Sequence, residues 1–163
     1  MEKPKPSFLA LYNYDFDSHK LVDMPFISKL MNQNMWSEEF AEEVILEYKK
    51  FIYLICTFGE AASSYFIDQV WHLHILYTKD YEAFCKKFNG EFIHHNPDRY
   101  FGTSDDLFKK TLLNYQKSFN KYPPEHIWKA GGNFKTINLN DHYVIPTGEK
   151  KILLKLLKKE ICG

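Results

Sequence analysis

Within 28 consecutive residues, Asp68 to His95, this chain gathers four of its seven histidines, His72, His74, His94 and His95, beside Asp68, Trp71, Tyr81 and Cys85. Imidazole nitrogens and a carboxylate are the donors that hold first-row divalent metals, and imidazole also moves protons near neutral pH. The same groups can instead satisfy one another's hydrogen bonds in a polar core. Metal binding, acid–base chemistry and structural support are thus the three roles to weigh.

Helical geometry sorts the cluster. Steps of about 100° per residue put Ile67, Trp71, His74, Thr78, Tyr81 and Cys85 on one stripe, with Asp68 and His72 at its edge. Those two are four residues apart, which brings their Cβ atoms to about 6 Å. His72 and His74 differ by about 200°, so they face opposite sides and do not readily grip one ion. His94 and His95 are neighbours in an extended segment and also face opposite ways. One of them can turn back to the helix. Asp68, His72 and that histidine then form an O/N donor set suited to zinc, iron or manganese, with a position left for water. The alternative leaves Asp68 orienting the His72 ring from behind.

Spacing alone favours the structural reading, because buried histidines commonly satisfy core hydrogen bonds and an aspartate near a helix start commonly serves the dipole. His74, mid-stripe among apolar residues, is expected in the core. Cys85 is expected as a small buried hydrophobe, since no cation or helix N-terminus lowers its pKa.

The elements that must position these residues read as mainly helical. Residues 1–19 form a lead-in that opens with Pro4 and Pro6. A first helix starts near Asp23 as cap, with Pro25 in its first turn. Ser37 caps the next, Glu38 and Glu39 favour its dipole, and Phe40, Val44, Ile45, Tyr48, Phe51, Ile52 and Ile55 recur at three and four until Gly59. A long central helix runs from Ser63 or Ser64 to about Phe88 and stops at Asn89-Gly90. Glu91–His95 is extended. A fourth helix runs from Ser104-Asp-Asp through Phe119 to Pro123-Pro124, and residues 125–130 form a short helical turn. Beyond it, Phe134–Leu139 and His142–Ile145 read as a hairpin. Glu149–Ile161 reads as a helix with Ile152, Leu153, Leu156, Leu157 and Ile161 on one face. Lys150, Lys151, Lys155, Lys158 and Lys159 lie largely opposite.

Composition closes off several function classes. The chain has 21 basic and 21 acidic residues among 163, so no global field favours nucleic acid or an anionic membrane. Arg99 is its one arginine, which argues against bidentate phosphate recognition. Cys56, Cys85 and Cys162 are too widely spaced for a disulfide framework or a metal knuckle. With no apolar signal core and no spanning stretch, the expected setting is soluble, reducing and cytoplasmic.

From Phe26 to Trp128 the sequence resembles the glycine-rich domain-containing protein-like family, found as bacterial proteins and as the N-terminal part of larger plant proteins. The resemblance begins at Phe26…Leu30, Asn34-Met-Trp-Ser37 and Glu47-Tyr-Lys-Lys-Phe-Ile-Tyr-Leu54. It centres on Asp68-Gln-Val-Trp-His72-Leu-His74…Tyr81…Cys85 and Gly90…His94-His95-Asn-Pro97. It closes on Thr111-Leu112…Tyr115…Phe119…Tyr122-Pro-Pro…Ile127-Trp128. Plant-type members have one histidine near this last pair, which lines up with His95, and the resemblance therefore implies that His95 is the inward one. It supplies neither substrate nor reaction. The glycine-rich tail behind the family name is absent from a chain with seven glycines. RNA binding, which plant members carry in other segments, is not carried over.

The sequence thus predicts a mainly α, single compact helical domain at residues 20–130, with a long central helix and a small C-terminal extension at 131–163. The leading function is a binding or scaffold module whose Asp/His cluster holds the fold together, either without an ion or around one divalent transition metal (zinc, iron or manganese) with Asp68, His72 and His95 as its ligands, and with Trp71, His74, Tyr81, Cys85 and His94 lining the cluster. One alternative is a metal-dependent enzyme of hydrolase or oxygenase type, with metal-bound water as nucleophile and His94 or Tyr81 assisting. Another is a protein-interaction adaptor working through the C-terminal helix. Nucleic acid is not an expected partner. A membrane is expected at most weakly, through Lys150–Ile161.

Overall fold

The computed structural model describes residues 2–18, 23–96 and 105–128. Among them are seven helices and no strand: α1 (Phe8–Tyr12), α2 (Phe26–Asn34), α3 (Glu38–Phe58), α4 (Tyr65–Leu76), α5 (Thr78–Asn89), α6 (Asp105–Phe119) and α7 (Glu125–Trp128). The expected hairpin and the Lys150–Ile161 helix lie outside the described residues.

The organising element is α3, which packs against α1, α2, α4, α5 and α6. Ser37 Oγ accepts from Phe40 N at 3.2 Å, and Gly59 closes the helix with φ +91°. Val44, Tyr48, Phe51, Ile52 and Ile55 are buried along it, as a stripe of period 3.6 requires.

The sequence predicts one long helix over residues 64–88; the structure divides it. Tyr77, at φ −85° and ψ +65°, ends α4 and starts α5. Packing explains the break. Ten residues along a straight helix separate Trp71 from Tyr81 by about 15 Å. The bend brings Trp71 Nε1 to 2.8 Å from the Tyr81 hydroxyl. It also folds α5 back so that the Tyr81 and Phe84 rings meet the His74 ring at 5.0 and 4.7 Å. Tyr81, Phe84, Cys85 and Phe88 all become buried.

Two further expectations are corrected near the N-terminus. The cap of α2 is not Asp23: Asp17 Oδ1 and Oδ2 accept from Phe26 N at 3.0 and 3.2 Å. The lead-in is also part of the core. Leu11 is fully buried, Phe16 stacks on Phe26 at 4.3 Å, and Tyr14 lies edge-on to Phe84 at 4.9 Å. Lys49 Nζ donates to the carbonyls of Tyr12 and Tyr14 at 2.8 and 2.9 Å, tying this stretch to α3. Irregular aromatic spacing hides the segment from a search for helical periodicity.

A charged network lies inside the same core. Lys50 Nζ donates to Glu47 Oε1 at 2.6 Å and to the Tyr115 hydroxyl at 2.9 Å, and Trp128 Nε1 donates to Glu47 Oε2 at 2.8 Å. Glu47 and Lys50 are each only 4% exposed, so these bonds are what makes burial of the two charges tolerable. Burial lowers the pKa of the Lys50 ammonium, and the Glu47 carboxylate acts against that shift. The network fastens α6 and α7 to α3.

Candidate metal centre

Ser64 fixes the start of α4, its Oγ accepting from Ile67 N at 3.4 Å and its carbonyl from Asp68 N at 2.9 Å. Asp68 therefore falls in the first turn and His72 one turn later on the same face. His72 Nε2 lies 3.2 Å from Asp68 Oδ2. The second imidazole arrives from the extended segment after α5, where His95 Nε2 lies 2.6 Å from Asp68 Oδ1. One ligand atom from each of the three residues lies within 4.8 Å of the other two.

The His95 segment is held from beneath. Tyr81 accepts from Trp71 Nε1 at 2.8 Å and donates to the Ile93 carbonyl at 2.6 Å, and Ile93 is buried. With Ile93 pinned inward, the next residue faces outward and the one after faces back. His94 is accordingly exposed, its ring 4.8 Å from Phe92. The His95 ring sits 4.4 Å from Trp71 and 4.6 Å from His72.

Exposure of the three side chains is unequal: Asp68 3%, His95 11% and His72 50%. The carboxylate is the floor of the cluster and His72 its open edge. His95 Nε2 is hydrogen-bonded to the carboxylate, and His72 Nε2 stands 3.2 Å from its other oxygen. A metal would be held by the two Nε2 lone pairs and a carboxylate oxygen. Such a two-imidazole, one-carboxylate set suits zinc, iron or manganese.

The remaining predicted residues fall elsewhere. His74 points away from His72, as their angular separation requires; it is fully buried, and its Nδ1 lies 2.8 Å from the Tyr48 hydroxyl. The Tyr48 hydroxyl, buried with it, has its pKa raised well above the usual range. Cys85 is buried, and burial pushes its thiol up. Tyr81, expected as an assisting group, is instead a strut: both of its hydrogen bonds are internal, and burial holds its hydroxyl protonated far above the usual range. Glu47 and Lys50 were not anticipated as a buried pair. The signal was present, since they sit three apart among the apolar positions of α3 rather than opposite them.

The family model described as UCP032817-like matches residues 13–118, which include Asp68, His72 and His95. Glycine-rich domain-containing protein 1 of Arabidopsis thaliana is 29% identical over 128 residues, covering 72% of this chain and 15% of that protein. Glycine-rich domain-containing protein 2 of the same plant is 28% identical over 117 residues, covering 66% of this chain and 14% of that protein. The chain therefore spans only a small part of the length of these curated relatives. No solved structure gives a significant match.

Proposed function

The chain belongs to the UCP032817-like family. From the geometry of its own residues we propose that it is a metal-holding binding module, with Asp68, His72 and His95 as ligands to one zinc, iron or manganese ion. The observation that carries this reading is the convergence of two Nε2 atoms on one buried carboxylate, all within 4.8 Å. Half-exposed His72 leaves this meeting accessible to solvent, whereas His74, in the same helix, is wholly enclosed and bonded to Tyr48.

The half-exposed His72 favours a second reading, a metal-dependent enzyme. Three protein ligands with a solvent-facing edge resemble catalytic rather than closed structural sites, because water can take the open position and lose a proton near neutral pH. In that reading Tyr81 is taken up by its internal hydrogen bonds, and His94 faces away from the ligands beside Phe92.

Calorimetric titration of zinc, manganese and ferrous iron into metal-stripped protein tests the module. One ion per chain is expected for at least one of these metals, with binding abolished in His95→Ala and strongly weakened in Asp68→Asn. Wild-type protein that binds none of them, or variants that bind like wild type, would overturn the assignment. Hydrolysis of simple esters or phosphoesters that appears with metal and vanishes in His72→Ala would select the enzyme reading.

A further inference from the structure

We propose that the basic C-terminal segment Lys150–Ile161 seats on its own chain, in the groove between α1 and the first turns of α3. That groove, of about 650 Å³, is lined by Tyr12, Glu39, Glu42, Glu43, Ile45, Leu46 and Lys49. Its floor is apolar: Ile45 and Leu46 are half-buried, and Tyr12 is left 54% exposed. The rim is acidic, with Glu39, Glu42 and Glu43 all exposed. Lys49, whose ammonium is held at one side by the carbonyls of Tyr12 and Tyr14, offsets one of the three carboxylates and leaves the lining acidic.

The segment has the complementary pattern. Between Glu149 and Ile161 stand five lysines against two glutamates, with Ile152, Leu153, Leu156, Leu157 and Ile161 on one helical face. The whole chain is formally neutral, so the remainder carries an equal excess of carboxylates. An amphipathic helix laid in a groove buries its apolar face and meets the rim with its charges. A second groove, between α2 and α4 at Leu73, Leu76 and Tyr77, bears Lys29 and no carboxylate; its charge selects against the same occupant.

Tethering favours the same choice. The described chain ends at Trp128, which donates to Glu47, and His126 of the same short helix lies 2.7 Å from Glu43 on the groove rim. The 21 residues 129–149 separate that point from the segment. Twenty-one residues reach at most about 70 Å fully extended, which keeps the segment within range of the groove and makes its docking an intramolecular event.

Zero-length carbodiimide coupling of lysine to glutamate in the full-length chain tests this, using an equal mixture of ¹⁴N- and ¹⁵N-labelled protein read by peptide mass spectrometry. The expected result is amide links from Lys150 or Lys159, the two lysines nearest the edges of the apolar face, to Glu39 or Glu42 within a single isotope species, falling several-fold in 0.5 M salt as the rim charges are screened (the Debye length there is only about 4 Å). Links of mixed isotope would assign the groove to a second copy and overturn the proposal. So would an absence of links to these glutamates. A chain that forms no such links and co-sediments with phosphatidylserine vesicles would assign the segment to a membrane surface instead.

Discussion

Tyr81 joins the two halves of the Asp68–His72–His95 cluster through a single hydroxyl, accepting from Trp71 on α4 and donating to Ile93 two residues before His95. Tyr81→Phe leaves a buried indole N–H and a buried carbonyl without that partner. It is expected to cost about 1–3 kcal/mol in denaturant unfolding. It should also weaken metal binding without changing its stoichiometry, since the ligands remain but His95 is held less firmly; an unchanged affinity would show that the strut does not position His95. At this scale the sequence was readable where a residue's role depends on spacing alone. Asp68 and His72 meet because they are four apart on a helix, and His72 and His74 diverge because they are two apart. The role of Tyr81 depends on a bend, and a straight helical stripe placed it too far from Trp71 to see.

Among elements, α3 was legible from end to end because its period, its Ser37 cap and its Gly59 stop agree. The break at Tyr77 was not, since no proline or glycine marks it; tertiary burial of Tyr81 and Phe84 against His74 outweighs local continuity. The Glu47–Lys50 pair makes a second statement at this scale, as the joint that holds α6 and α7 to α3. Lys50→Met should cost about 3–5 kcal/mol, because it strands the Glu47 carboxylate in the core. Adding Glu47→Gln should recover most of that loss, as a neutral amide oxygen still accepts from Trp128. A double variant whose loss equals the sum of the single losses would show that the two charges do not act as a pair.

At the scale of the whole molecule, the helical class was legible in the sequence, while the contribution of the N-terminal stretch was not. Leu11, Tyr14 and Phe16 cover one side of the α2–α3–α5 core although they follow no regular period. Leu11→Ala is accordingly expected to destabilise the entire domain by about 2–5 kcal/mol, as a core leucine does, and to lower a single cooperative melting transition. An early separate transition, with the main one unmoved, would mean that the segment is only loosely attached. Among the described residues no helix is long and apolar enough to cross a membrane.

Whether Asp68, His72 and His95 hold an ion is read from the metal content of untagged full-length protein by inductively coupled plasma mass spectrometry. His72→Ala and His95→Ala should be measured alongside, with circular dichroism on each. Close to one zinc, iron or manganese per wild-type chain is expected, lost in both variants while they keep their helicity. Metal-free wild type with intact helicity, or variants that retain the ion, would contradict the metal assignment.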